Sequence, residues 1–210
     1  MDFKAQLAQG LGTLLRRVPR ERELEAFASY LSLLLRWNRV QSLTAYRKPM
    51  EILDKLFLDS LLFLPLLPAP PSRLLDLGSG AGIPGVPLKI VEPAYELTLA
   101  EARRRRTSFL SAVVRELALE GVRVLAGRAE ILIEELPELE AAFDAVVTRG
   151  TGPSGEIVPL ALQFLRPGGR LVASGPPPSK SEKQPGFGMW QTVTSPLSGL
   201  PRRFLVVEKT

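Results

Sequence analysis

The sequence predicts an α/β protein: a doubly wound, mostly parallel β-sheet closed by a C-terminal antiparallel hairpin, with a helical extension ahead of it. Three observations carry that prediction. At Pro68-Ala69-Pro70-Pro71-Ser72 the texture changes from helical periodicity to short apolar runs that alternate with amphipathic stretches. The first of those runs, Leu74-Leu75-Asp76-Leu77, breaks into a loop with glycines at Gly78, Gly80, Gly82 and Gly85. The end of the chain leaves the alternation and holds two strand-like runs joined by a turn-rich segment.

From Arg20 to about Leu67 apolar residues recur at helical spacing, Leu24, Phe27, Tyr30, Leu31 and Leu34 first, then Ile52, Leu56, Leu58 and Leu61, with a break at Pro49. Residues 1–70 therefore read as an N-terminal helical extension packed on a core formed by 71–210. In the second part, strands are expected over 73–77, 96–100, 122–126, 144–148 and 170–174, and helices over 85–91, 103–119, 130–136 and 155–165. Strand and helix in alternation argue a parallel sheet, with a ligand crevice beyond the carboxyl ends of its strands. The runs at 189–193 and 203–208, joined by Ser195-Pro196-Leu197-Ser198-Gly199-Leu200-Pro201, read as an antiparallel hairpin.

Composition sets the chemical bounds. With 210 residues, 45% hydrophobic and 23% charged, the chain has the material for one ordinary globular unit with a sizeable core. It contains no cysteine, which excludes disulfides, thiolate metal sites and a cysteine nucleophile. It contains no histidine either, so the commonest general base and the commonest metal ligand are missing. Any catalysis must rest on carboxylates, arginines, backbone groups and positioning, and no metal site is expected. No apolar run reaches about 18 residues, and the first residues, MDFKAQLAQG, carry charge where a signal peptide needs its apolar region. A cytoplasmic protein with no membrane contact is expected.

The net charge is +5. Residues 1–56 hold ten Lys or Arg against six Asp or Glu, and Arg103-Arg104-Arg105-Arg106 forms a second cluster. Either cluster alone reads equally well as a solvated helix face. Flanking a glycine loop, the two together point to a nucleic-acid partner.

An apolar strand that breaks into glycines lets the backbone approach a ligand where a Cβ would collide, so the loop after Leu77 reads as a nucleotide-cofactor site. Gly80-x-Gly82-x-x-Gly85 satisfies the dinucleotide pattern, and Glu101 falls where a ribose-binding carboxylate is expected, so a dinucleotide oxidoreductase is one alternative. Three features favour S-adenosylmethionine. Asp76 precedes the loop to give Asp-x-Gly-x-Gly-x-Gly, where a carboxylate faces the cationic methionine end of the cofactor and repels a pyrophosphate. Pro84 removes a backbone donor near the helix start that a phosphate would use. The terminal hairpin on a parallel sheet is the third, the layout associated with methyltransferases that use this cofactor.

Several segments are more specific than the glycines. They are Leu34-Leu35-Arg36-Trp37-Asn38-Arg39-Val40-Gln41-Ser42-Leu43-Thr44, Leu58-Asp59-Ser60-Leu61, Arg106-Thr107-Ser108-Phe109-Leu110 and Gly127-Arg128-Ala129-Glu130. Phe143-Asp144-Ala145-Val146-Val147-Thr148-Arg149 and Leu165-Arg166-Pro167-Gly168-Gly169-Arg170-Leu171 follow in order. Through these segments, from about Tyr30 to Ser174, the chain resembles the bacterial small-subunit ribosomal RNA guanine-N7 methyltransferases, the glucose-inhibited division protein B family. The resemblance implies a Rossmann-like class I methyltransferase domain using S-adenosylmethionine. Gly78, Ser79, Gly80, Gly82, Ile83 and Pro84 would wrap the methionine and ribose portions of the cofactor, Asp76 would bind the cofactor by facing its cationic methionine end, and Glu101 would accept hydrogen bonds from the ribose hydroxyls. Ala129 and Glu130 would border the adenine. Arg149 matches an arginine near the cofactor and the approach of the RNA, with a role in positioning substrate or cofactor. Glu101 and Glu130 also read as carboxylates favoured by helix N-termini. Trp37 and Asn38 read as packing and turn residues that fasten the extension to the core.

The implied chemistry suits a chain without histidine. Guanine N7 carries an in-plane lone pair, so methyl transfer to it needs no base, and alignment supplies most of the rate. The Asn/Asp-Pro-Pro-aromatic motif of amine methylation is absent after the fourth strand, where the chain reads Thr148-Arg149-Gly150-Thr151-Gly152-Pro153. The resemblance implies ribosomal RNA, free or within the small subunit, as partner of a monomeric enzyme. Its departures fall on the substrate side: Leu56 stands for a histidine, Ser42 for an asparagine and Ser174 for a lysine, and Pro176-Pro177-Pro178 leads into an unusual tail. A cofactor- or RNA-binding relative with an altered target or no turnover is therefore the second alternative.

Overall fold

The computed structural model describes residues 2–150, 154–175 and 188–210. The segment Thr151-Gly152-Pro153 and the tail that starts at Pro176-Pro177-Pro178 lie outside the described residues. Seven strands form one sheet: β1 (Arg73–Leu77), β2 (Glu96–Glu101), β3 (Val122–Ala126), β4 (Phe143–Arg149), β5 (Leu165–Ser174), β6 (Met189–Thr194) and β7 (Pro201–Glu208). Their order is β3-β2-β1-β4-β5-β7-β6. The first five are parallel, whereas β7 pairs antiparallel with both β5 and β6. The chain leaves β1 in one direction to β2 and β3, then returns to β4 on its other side. That reversal opens a crevice at the carboxyl ends of β1 and β4.

Helices cover both faces. α4 (Gly85–Val91) and α5 (Arg104–Glu116) lie on one, and α6 (Ala129–Glu135) and α7 (Ser154–Phe164) on the other. The N-terminal segment joins the first face. It comprises α1 (Phe3–Leu15), α2 (Glu21–Asn38), a short α3 (Pro49–Ile52) that runs into a π-helical turn at Leu53–Leu58, and a 3₁₀ stretch at Leu61–Leu66. One buried cluster runs from Leu7 and Leu11 of α1 through Phe27, Tyr30 and Leu34 of α2 to Phe109 and Leu110 of α5. Arg17 clamps α1 to α2 by a bidentate pair with the buried Glu23, at 2.9 and 2.6 Å.

Pro49 starts a helix, as its fixed φ favours at a first helical position. Three elements depart from expectation. α1 was not anticipated, because Gly10 and Gly12 interrupt its short apolar pattern; a Cβ at Gly10 would lie 2.6 Å from Leu58, so the glycine permits close packing on the π-helical turn. α5 stops at Glu116, short of 119, where Ala118 adopts a left-handed φ of 47°. β5 begins at Leu165 instead of 170, and a register shift at Phe143 and Ala145 accommodates Arg166 to Gly169.

Candidate active site

A cavity of about 840 Å³ opens at the carboxyl ends of β1 to β4. Gly78 to Ala81, Glu101 and Gly127 to Glu130 form its wall at the tips of β1, β2 and β3. Arg149, at the end of β4, Glu156 and Ile157 of α7, and Leu43, Tyr46 and Leu56 from the N-terminal segment form the opposite side. Of the residues expected to hold a cofactor, Gly78, Ser79, Gly80, Ile83, Glu101, Ala129, Glu130 and Arg149 line the cavity. Asp76, Gly82 and Pro84 do not.

Hydrogen bonds set the loop. The amides of Gly78 and Ser79 both donate to the Ala100 carbonyl, at 2.9 and 3.0 Å, which ties the tip of β1 to that of β2. Ser79 Oγ donates to the Asp76 carbonyl at 2.9 Å, and the buried Tyr30 hydroxyl donates to the Ala81 carbonyl. Gly80 has φ +59° and lines the cavity; a Cβ there would find nothing nearer than Arg106 Nη1 at 3.7 Å and would take up cavity space. Gly82, at φ +83°, serves packing instead. A Cβ on it would lie 2.7 Å from Val86 and 2.9 Å from the Tyr30 hydroxyl.

The structure corrects the expected position of Asp76. Strand alternation sends its side chain to the same face as Leu74, beneath α4, and it is wholly buried. Its Oδ2 accepts the Gly85 amide at 2.8 Å, and Oδ1 has no partner among the described residues. Burial, with a contribution from the charge of Glu101, raises its pKa to about 7 against the opposing hydrogen bond from Gly85. Asp76 thus supports the loop from below. Pro84 and Gly82 are likewise behind the wall, Pro84 as the residue that caps α4.

Glu101 is 5% exposed and occupied on both oxygens: Oε2 accepts from Gly80 N–H and Oε1 from Arg103 N–H, each at 2.9 Å. Arg106 Nη1 lies 3.8 Å away. Each oxygen retains a lone pair, so the same carboxylate can hold the loop, start α5 and accept from a ribose. Glu130 sits in the first turn of α6, exposed, 3.7 Å from Arg128. The arginine cluster caps α5: Arg103 precedes the helix, Arg104 to Arg106 occupy a first turn that contains no acid, and Arg103 and Arg106 reach the cavity. Cations there oppose the helix dipole, and the pair of Arg106 with Glu101 is the ion pair that the cluster makes among the described residues. In the other basic segment Lys4 and Arg17 are paired with Glu21 and Glu23.

Arg149 is held by the Leu58-Asp59-Ser60-Leu61 segment. Its Nη2 donates to the Lys55 carbonyl at 2.8 Å and lies 3.3 Å from Asp59 Oδ2. Arg202 of β7 takes the same carboxylate, with Nη2 donating to Oδ2 at 3.1 Å and Nε 2.9 Å from Oδ1. One carboxylate between two guanidiniums leaves a net positive charge at the cavity edge. Burial pushes the Arg149 guanidinium down from its ordinary value, Asp59 opposes that, and Arg202 adds to it. Nη1 of Arg149 is buried without a partner among the described residues.

Sequence reasoning assigned no role to Asp59, Tyr46 or Glu156. It placed Asn38 as a turn residue, and the structure shows which turn. Asn38 Oδ1 accepts from the amides of Leu43 and Thr44, at 2.9 and 3.1 Å, and Nδ2 donates to the carbonyls of Thr44 and Tyr46. Trp37 packs edge-on against Phe109 of α5 at 5.7 Å. Together they fix the 43–46 loop as a cavity wall. Leu56 presents an apolar side chain on that wall, Ser42 is exposed, and Ser174 ends β5; neither serine lines the cavity.

Comparison with known proteins decides the family. The model of GidB, rRNA small subunit methyltransferase G, matches residues 23–182. The chain belongs to this family. The Ribosomal RNA small subunit methyltransferase G of Anaeromyxobacter sp. (strain Fw109-5) is 44% identical over 175 residues, 81% of this chain and 77% of that protein. The protein of that name from Sorangium cellulosum is 44% identical over 145 residues, 68% of this chain, and the match spans 60% of its own length. Among solved structures, a SAM dependent methyltransferase from Aquifex aeolicus shares the fold, with a TM-score of 0.57, 16% identity and coverage of 78% of this chain and 94% of that one.

GidB proteins are methyltransferases that use S-adenosylmethionine, which sets aside the dinucleotide alternative. Residues of this site suit that cofactor: Gly80 leaves a cradle a Cβ would fill, and Glu101 offers a carboxylate to vicinal hydroxyls. They do not suit a pyrophosphate, because the Gly85 amide at the start of α4 is already taken by Asp76.

Proposed function

We propose that this GidB protein transfers a methyl group from S-adenosylmethionine to N7 of a guanine in small-subunit (16S) ribosomal RNA. The observation that carries the proposal is the division of the cavity. The tips of β1, β2 and β3 would supply the cofactor side, and Tyr46, Leu56 and Arg149 line the same cavity beyond them, where a planar base would enter. Bound there, the cofactor supplies an electrophilic methyl: N7 donates its lone pair to the carbon, the C–S electrons stay with sulfur, and no proton leaves. The chain's residues then have only to position the reactants. Gly78 to Ala81 and Glu101 fix the cofactor side, the Asn38-held loop supports the aromatic face of Tyr46, and Arg149, oriented by Asp59, offers its charge to the RNA. Cations of Arg103 to Arg106 extend that charge along the rim.

The test is the mark itself. Small-subunit RNA from a strain lacking this gene should lose one N7-methylguanosine, read as loss of a borohydride and aniline cleavage site, and purified protein should restore it. Unchanged RNA would sink the assignment. A second reading, binding without turnover, draws on Leu56, an apolar group on the cavity wall where the resemblance implies a histidine. Calorimetry showing cofactor binding beside an assay with no transfer, on naked RNA and on subunits, would favour it.

We further take the protein to be a cytoplasmic monomer acting on ribosomal RNA, free or within the small subunit, with an extension over 1–70 and a methyltransferase domain over 71–210. No helix among the described residues is long and apolar enough to cross a membrane. Sedimentation with and without small subunits checks the assembly.

A further inference from the structure

Three carboxylates line the cavity, and two are spoken for. Glu101 holds Gly80, Arg103 and Arg106, and Glu130 lies beside Arg128. Glu156 forms no ion pair or hydrogen bond among the described residues, although it is exposed on the cavity wall in the first turn of α7. Its place in the fold follows from the sheet. α7 leaves the tip of β4, on the far side of β1 from the tips that carry Glu101 and Ala129.

Geometry of the reaction says what that side must do. In-line transfer to N7 requires the sulfonium methyl to lie in the base plane on the N7 edge. A guanine so placed turns its opposite edge, with the N1–H and N2–H donors, away from the cofactor. Those two parallel donors need acceptors, and a carboxylate is the side chain that takes both at once. Adenine presents an acceptor at N1 and no amine at C2, so the same carboxylate rejects it. We infer that Glu156 reads the N1–H and N2–H edge of the target guanine and thereby sets the base specificity of the site. The inference rests on the N7-guanine reading. A helix dipole alone also favours an acid at this position, and the two roles differ in what they discriminate.

The experiment compares two RNAs: small-subunit RNA without the mark, and the same RNA with inosine at the single guanosine that the wild type methylates. Inosine keeps N7, O6 and N1–H and lacks only the 2-amino group. Wild type should methylate the inosine RNA at least about tenfold less efficiently, as loss of one charged hydrogen bond predicts. In Glu156→Ala, kcat/KM on the guanosine RNA should fall on the order of 30-fold or more, with the guanosine-to-inosine ratio near one and cofactor affinity unchanged. Glu156→Gln, which keeps one acceptor, should lie between. Retention of the guanosine preference by Glu156→Ala, or a wild-type rate on guanosine RNA, overturns the inference. If wild type transfers no methyl to the RNA, whether naked or assembled into small subunits, the N7-guanine reading fails first and takes this inference with it.

Discussion

Asp76→Asn tests the support beneath the glycine loop. The carboxyl is wholly buried, with one hydrogen bond from Gly85 and one oxygen without a partner among the described residues, and its pKa is raised from 3.8 to about 7. A carboxyl whose folded pKa lies above its unfolded value holds a proton that the unfolded chain has released. Its contribution is therefore fully present below about pH 4 and is lost as pH rises to about 7, at about 1.4 kcal/mol per unit, or roughly 4 kcal/mol in all. The asparagine amide has the same shape and cannot ionise. It still offers an oxygen to Gly85 and sets an uncharged NH₂ where Oδ1 stood, at a cost of about 1–3 kcal/mol if that donor finds no acceptor. The difference in stability, variant minus wild type, should thus shift by about 3 kcal/mol in the variant's favour between pH 5 and pH 8. Urea melts of cofactor-free protein at several pH values measure it. A pH-independent difference would refute the buried, uncompensated carboxyl.

Glu101→Ala should weaken S-adenosylmethionine binding by about 1.5–3 kcal/mol in calorimetry, through loss of charged hydrogen bonds to ribose; unchanged affinity would assign Glu101 to the loop and α5 alone. Asp59→Asn removes the charge shared by Arg149 and Arg202, and should cost about 2 kcal/mol of stability in denaturant melts and lower kcat with little change in cofactor affinity. Affinity of RNA for the protein should fall with salt at a log-log slope of about −0.7 per neutralised phosphate, and charge reversal at Arg104 and Arg105 should flatten it. A flat response in the wild type would return the arginine cluster to a solvated helix face.

Strands at 73–77 and 122–126 and the helix at 85–91 occur at the residues expected, because proline, glycine and short apolar runs mark both ends of each. Local chemistry also announced the glycine-loop side of the cavity, since Gly78 to Gly80 and Glu101 lie within one strand-turn-helix unit and the strand beside it. The other side carries no such local signature. Tyr46 becomes a wall residue because Asn38 gathers the 43–46 loop and Trp37 of α2 packs on Phe109 of α5, a contact between distant parts of the chain. Asp76 shows a different limit. Its spacing from the glycines is the same whether the carboxylate faces a ligand or hides under α4, and the alternation of β1, together with its hydrogen bond to Gly85, decides for the second.

The same division bears on the departures that the resemblance implies at positions 42 and 56. Contacts of Gly78, Ser79 and Glu101 are locked into the tips of β1 and β2 by backbone hydrogen bonds, so substitution there would disturb the sheet itself. Leu56 lines the cavity from a segment outside the sheet and Ser42 lies exposed beside it, so either can change without moving a strand. A histidine at position 56 would bring a proton donor to the wall; leucine brings none, and attack by the N7 lone pair demands none. What the substrate side must still provide is charge for the RNA and acceptors for the base. On the proposed reading Arg149, held by Asp59 at the end of β4, would supply the first, and Glu156, in the first turn of α7 and without an ion pair or hydrogen bond among the described residues, would supply the second.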